Sequence, residues 1–338
     1  MSERDARRSP LGVREDPRLA VASELAMAEM WQRTKLTGKG RVSERTVEVH
    51  EQRLRDHVHP ALGHRKLSTL AKRDILDLID ELRGKGLAEW TVHHCLTALR
   101  TVLRHAREHD LLAHDAFVGI PSERLPAQEA QGELRVLRGG DVNLMLDKVS
   151  GTRDVAAATL LGDTGLRSSE LCGLHWRDVS LAEEFIAIEG QLARRRRGEP
   201  VRIVPTKSRA GVRAIPLTPR ARQRLEALYS DERQRGLGDD DDFVFTTRSG
   251  GPLSPHNLRR TVRRAAQAAK VGHVTPQVLR RSVATAYAEA DGVSDHVAAN
   301  ITGHSVAVYH AHYVKPHRDR LERKNAVKRL LDSGYGTE

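Results

Sequence analysis

The chain has 338 residues, long for one ordinary domain, so two domains with separate cores are expected. Its 56 Lys and Arg against 45 Asp and Glu leave a formal net charge of +11, a surplus that folding does not require and that points to a polyanionic partner, nucleic acid first. The longest apolar stretches, such as Val155 to Leu161, fall well short of the roughly 20 residues of a membrane span, and two distant cysteines, Cys95 and Cys172, exclude a disulfide framework. No apolar signal-peptide core follows the basic N-terminus, so a cytoplasmic protein with no membrane partner and reduced, buried cysteines is expected.

In chain order, residues 1–15 are polar, Arg-rich and without apolar periodicity, which reads as a flexible basic arm. Residues 16–119 read as helices. Ile75, Leu78, Ile79 and Leu82 share one helical face that Gly84 ends. Val92, Leu96, Leu99, Leu103 and Ala106 recur at spacings of four and three, with Arg100, Arg104 and Arg107 beside that stripe as candidate phosphate contacts or as a solvated helix face. Residues 120–132 hold two prolines and no periodicity, the pattern of an interdomain linker, and a second domain is expected over 133–338.

In that second domain, helical patterning around Asp154 to Asp163 gives way at Thr164-Gly165-Leu166-Arg167 to a turn and a short helix that Ser168 is placed to cap. Alternation around Phe185 to Ile188, Val201 to Ile203 and Val212 to Ile215 predicts three short strands in one small sheet, with Arg194, Arg195, Arg196 and Arg197 in the loop between the first two. Helical patterns return after Pro216 to about residue 230 and from about Ser254 to Lys270. The four-arginine tip is a candidate DNA contact.

Separate segments each carry a residue suited to a phosphodiester. Arg167 precedes Ser168-Ser169-Glu170-Leu171 and would project from a helix start; Lys207 sits in an expected strand-pair turn, Thr206 to Pro216; Arg280 lies in a helix opened by Thr275-Pro276-Gln277; His304 follows Gly303; and Tyr313 comes nine residues later. In this order the segments resemble the catalytic domain of the tyrosine recombinase, or phage integrase, family, which carries a Thr-Gly-Leu-Arg-x-x-Glu-Leu box, a hairpin lysine, a His-x-x-Arg box, a Gly-His box and a following tyrosine. The resemblance runs from about residue 15 to 325. It departs at Gln277, which stands where the family usually has the first histidine of His-x-x-Arg and which hydrogen-bonds but does not titrate.

The resemblance implies a mainly α fold with a small antiparallel β-sheet: an all-helical core-binding domain, and a mixed α/β catalytic domain that completes a C-shaped clamp on double-stranded DNA attachment sites. It implies that Tyr313 attacks phosphorus to leave a 3′-phosphotyrosyl link, that Arg167, Arg280 and His304 hold the non-bridging oxygens, and that Lys207 protonates the leaving 5′-oxygen. It further implies a homotetramer on DNA, accessory DNA-bending or excision proteins, and a tail bearing Leu321, Val327, Leu330 and Leu331 packed on a neighbour.

The chemistry stands without the name. A phenol with a pKa of roughly 10 needs its proton accepted as it attacks, and guanidinium forks suit the charge that gathers on phosphate. The cationic side chains do the work of a magnesium ion, so no cofactor and no metal are expected. His310 and His312 lack cysteine or carboxylate neighbours in their segment, as do His93 and His94 apart from Cys95, and neither group reads as a metal site. Integration or excision of a phage or mobile element is the expected role. A Xer-type resolvase, a relaxing type IB topoisomerase and an inert DNA-binding relative are the alternatives, and Tyr309 is the rival nucleophile.

Overall fold

The computed structural model describes residues 16–36, 42–126, 135–193, 202–205 (backbone only), 212–290 and 292–314. The chain divides into two compact units, 1–133 and 134–338.

The first unit is all helical. It comprises α1 (Leu19–Arg33), α2 (Glu44–Arg53), the short α3 (His59–Leu62), α4 (Lys72–Gly84) and α5 (Glu89–Glu108). The two apolar stripes read from the sequence are the inner faces of α4 and α5: Ile75, Leu78, Ile79, Leu82, Val92, Leu96, Leu99, Leu103 and Ala106 are all buried in one core. Each large aliphatic side chain there contributes on the order of 2 kcal/mol by leaving water. A bidentate ion pair, Arg83 Nε and Nη2 to the Glu89 carboxylate at 2.7 and 2.8 Å, ties α4 to the start of α5.

The first half of the expected linker is packed instead of free. Ile120 and Leu125 lie against this core, and Arg124 pairs with Asp80 at 2.7 Å. Two apolar side chains, each just before a proline, outweighed the turn signals there. Residues 127–134 lie outside the described residues.

The second unit is also mostly helical: α6 (Gly139–Leu146), α7 (Thr152–Thr164), α8 (Ser168–Cys172), α9 (Pro219–Gln234), α10 (Pro255–Ala268), α11 (Pro276–Glu289), α12 (Asp295–Thr302) and α13 (Val306–Tyr309). Two small antiparallel sheets replace the single one expected. One is ordered β1 (Val179–Ser180), β2 (Phe185–Ile188), β5 (Arg213–Pro216), and the other pairs β3 (Gly190–Ala193) with β4 (Arg202–Pro205).

The strand around Ile203 therefore does not join the first sheet; β2 pairs directly with β5, Ile186 opposite Ile215. Both of those isoleucines point into the core with Leu160, Leu161, Leu225 and Leu279, so the pairing is fixed by burial. Among the described residues no helix is long and apolar enough to cross a membrane.

Candidate active site

Helix α7 stops at Thr164 because Gly165 takes the left-handed conformation, φ 65°. A Cβ there would also lie 3.3 Å from Cα of Arg280, so the glycine lets α11 pass close by. Leu166 is buried, and Arg167, not Ser168, occupies the N-cap of α8. Arginine has no cap acceptor. The Glu170 carboxylate makes the reciprocal contact of a capping box, accepting from the Arg167 backbone N–H at 3.0 Å and from its guanidinium at 2.7 Å.

Glu170 also receives Arg213 of β5 at 2.9 Å, with the two side chains 2% and 0% exposed. Burial would raise this carboxyl, but the hydrogen bond and charge of Arg213, followed by those of Arg167, outweigh it and pull the group down to about 2.

Arg280 is carried to the same place by α11, whose Pro276 sits in the first turn behind the capping hydroxyl of Thr275. Its side chain is buried; Nη1 donates to Gly165 O at 2.9 Å, and Nη2 donates to Thr302 O and to Nε2 of His304 at 3.1 Å. Burial first, and then the like charge of Arg167, bring Arg280 down to about 9, still protonated at neutral pH.

The end of α12 is gripped by all three arginines. Ile301 O accepts from Arg213 at 2.9 Å, Thr302 O from Arg280, and Gly303 O from Arg167 at 2.8 Å. Cations at the carbonyl end of a helix are favourably placed. Gly303 turns the chain with φ 63°, and a Cβ on it would stand 2.8 Å from Arg213 Nη1, so no other residue fits without moving a guanidinium.

His304 follows directly. Because arginine only donates, Nε2 of His304 accepts, and Nδ1 carries the proton toward Thr302 Oγ1 at 3.0 Å. Burial, then Arg280, Arg167 and Arg213, push this imidazole down to about 3, so it is neutral at pH 7. Its Nε2 therefore offers a lone pair.

Tyr313 lies in the π-turn His310–Val314, its ring centroid 5.3 Å from that of His304. Tyr309 is fully buried, its hydroxyl donates to Ala284 O at 3.0 Å, and burial pushes its phenol up, all of which oppose use as a nucleophile.

The structure thus gathers Arg167, Arg280, His304 and Tyr313 with Glu170 and Arg213. Three guanidinium charges against one carboxylate leave a surplus of positive charge, suited to a phosphodiester that gains negative charge as it is attacked. Gln277 is exposed and stands on a cleft with Arg167, Ser168, Ser169 and Arg259.

Arg259 was missed in the sequence reading. On α10 it belongs to an exposed set with Arg260, Arg263 and Arg264, opposite buried Leu258, Val262, Ala265 and Ala266, a pattern that was available to a helical-face count.

Lys207, Arg194 to Arg197 and the tail residues Leu321, Val327, Leu330 and Leu331 lie outside the described residues. On α5, Arg100 lies over the Phe117 ring at 4.4 Å and Arg107 is paired with Asp115 at 2.8 Å. Arg104 faces Glu108 at 3.9 Å, and burial, then the charges of Arg53, His94 and Arg104, lower the imidazole of His50.

Comparison with known proteins decides the family. Residues 135–320 match the Phage integrase family and residues 25–119 the Phage integrase central domain. The chain belongs to the phage integrase family, the tyrosine recombinases. Its relatives include a tyrosine recombinase XerC of Pseudomonas putida, 28% identical over 67% of this chain and 75% of that protein. A tyrosine recombinase XerD of Listeria monocytogenes is 26% identical over 78% of this chain and 85% of the other. Against a second Pseudomonas putida XerC the alignment spans 65% of the relative's length.

Among solved structures, the Tn1549 transposon integrase in complex with transposon right end DNA shares the fold at a TM-score of 0.72 and 20% identity, over 91% of this chain and 99% of that one. A lambda integrase dimer bound to a COC′ core site does so at a TM-score of 0.64 and 15% identity, over 90% and 81%. This tyrosine recombinase is therefore an enzyme of a family named for its nucleophile, and it has a buried tyrosine beside a histidine–arginine pair.

Proposed function

We propose that this recombinase cuts and rejoins double-stranded DNA at specific attachment sites through a 3′-phosphotyrosyl intermediate formed by Tyr313, in the integration or excision of a phage or mobile element. The observation that carries this is the neutral His304, held by Arg280 through Nε2, 5.3 Å ring to ring from Tyr313. In the proposed step a non-bridging phosphate oxygen takes over the Arg280 N–H, which frees the Nε2 lone pair. The arriving anion also offsets the three cations that depress the imidazole. Tyr313 Oη then bonds to phosphorus as its proton passes to Nε2, and the P–O5′ bond breaks with the 5′-oxygen protonated by Lys207. A 5′-hydroxyl reverses the sequence without ATP, because the tyrosyl ester keeps the bond energy.

The helical unit, with Arg104 foremost and Arg100 and Arg107 beside it, would hold DNA phosphates. Arg194, Arg195, Arg196 and Arg197 would do so from the second unit. Gln277 would orient a phosphate oxygen or a water. Four copies would act together on two sites with accessory bending or excision proteins; a lambda integrase tetramer bound to a Holliday junction has this fold at a TM-score of 0.63. Sequence relatives named XerC favour one second reading, a Xer-type resolvase. Activity on the ends of an element, as against resolution of chromosome dimers, separates the two.

The test is a nicked suicide substrate carrying an attachment site, with wild type and Tyr313→Phe compared on a denaturing gel. A DNA-linked protein band lost in Tyr313→Phe is expected. No band from the wild type on a site that it binds would leave an inert DNA-binding protein.

A further inference from the structure

Away from the chemistry just described, α1 and α5 of the helical unit bring three metal-ligand side chains to one point. His105 lies in the last turn of α5 and His109, four residues on, is its C-cap residue, so both imidazoles stand on the same side of the helix end. Glu29 meets them from α1. Its Oε2 is 3.0 Å from Nε2 of His105 and 3.0 Å from Nε2 of His109, and the two rings are 4.3 Å apart. Among the described residues this is the one group of three His, Cys, Asp or Glu side chains whose donor atoms all lie within 4.8 Å of one another.

We propose that Glu29, His105 and His109 bind a transition-metal dication, zinc being the ion that fits, and that the ion fastens α1 to α5. Two imidazoles and a carboxylate are an established donor set for zinc, with bonds of about 2.0–2.2 Å that place tetrahedral ligand atoms roughly 3.3 Å apart. Each oxygen–nitrogen separation, 3.0 Å, needs to open by only a few tenths of an ångström, and all three donor atoms already lie within 4.8 Å of one another. Calcium and magnesium, which take oxygen ligands, do not suit two nitrogens.

His109 is 41% exposed, so the fourth position opens to water. His105 is 13% exposed, and burial, then His109, lower its imidazole. Burial would raise the Glu29 carboxyl, but its hydrogen bonds to His109 and His105 outweigh this and lower it.

Without metal, both imidazoles donate from Nε2 to the one carboxylate oxygen. With metal, each moves its proton to Nδ1 and coordinates through Nε2, with no net proton released. In His105 that Nδ1 is buried with no hydrogen-bond partner among the described residues. An outer partner is worth about 10–100-fold in metal affinity, so a site without one for His105 is expected to bind zinc that much more weakly and to act as a clasp, not as a permanent structural centre. The clasped helix is the one that carries Arg104.

The experiment uses the full chain, affinity tag removed and stripped with chelator, titrated with cobalt chloride and then zinc chloride. The protein has 17 histidines, so the variants decide the site. The wild type should take up one equivalent of cobalt with the intense visible absorption of a tetrahedral site, which zinc should displace. His109→Ala and Glu29→Gln, both at the solvent side, should each bind at least about tenfold more weakly. Zinc should raise the melting temperature of the wild type and leave that of either variant unmoved. A wild type with no saturable cobalt spectrum, or variants that bind as it does, would overturn the proposal. Neither residue takes part in strand cleavage, so DNA cleavage can fail while the metal binds, or the reverse.

Discussion

Arg280 donates from Nη2 to Nε2 of His304 across 3.1 Å, which makes the histidine an acceptor and fixes its proton on Nδ1. The imidazole is held at about 3, against an ordinary value of roughly 6.5. Between those values the unfolded chain binds the proton and the folded one does not, so this residue's contribution to stability is complete above about pH 6.5 and is lost as pH falls toward 3. Denaturant titrations at pH 7.5 and 5.0 should show the wild type less stable at the lower pH, and His304→Gln should show a smaller drop. Equal drops would place the titrating group elsewhere.

Glu170 holds Arg167 and Arg213 with its own side chain 2% exposed. Removing one partner of a buried ion pair strands the other, at about 3–5 kcal/mol. Glu170→Ala should lower unfolding free energy by that amount, and Glu170→Gln, which keeps the shape and half the acceptors, by less. A loss under about 1 kcal/mol in Glu170→Ala would mean that the arginines find other partners.

Gly303 sits where a Cβ would strike Arg213 Nη1 and crowd Arg167 Nη1, at 2.8 and 3.2 Å, in a left-handed conformation. Gly303→Ala should therefore slow cleavage at least about tenfold, since a displacement near 1 Å at reacting groups costs on the order of 100-fold. DNA affinity, measured by gel shift, should be nearly unchanged. A matching loss of affinity would assign the glycine to DNA binding.

Tyr309 spends its hydroxyl on Ala284 O. Tyr309→Phe should keep the covalent DNA band while losing about 0.5–1.5 kcal/mol of stability, the net worth of one hydrogen bond. Disappearance of the band in a folded Tyr309→Phe protein would make Tyr309 the nucleophile.

Arg259 shares its cleft with Arg167 and Gln277. Arg259→Ala should weaken DNA binding and reduce the salt dependence of log K by about one phosphate contact. An unchanged salt slope would leave Arg259 a solvated surface charge.

The helical stripes of α4 and α5 were legible because each is a short-range pattern whose apolar period matches the helix. Three of the five strands, β2, β4 and β5, were legible as strands, but β1 and β3 were not, nor was the division into two sheets. Nothing local to Ile203 says that β4 pairs with β3 and leaves β2 to β5; burial of Ile186 and Ile215 decides that. Arg259 escaped notice because a cation on a solvated face looks alike whether or not a cleft lies beneath it.

By itself the sequence singled out Arg167, Arg280, His304 and Tyr313, because each sits in a box of a few residues, and a box is local information. The tertiary structure decided what those parts are to one another. Arg167, Arg213 and Arg280 reach three consecutive carbonyls at the end of α12 from 136, 88 and 22 residues away. It also decided that His304 is neutral and accepting, that Tyr309 is spent, and that Glu29 stands between two histidines 76 and 80 positions further on. Charge state and hydrogen-bond role depend on burial and on the nearest opposite charge, and both are set by side chains that meet only after the chain has folded.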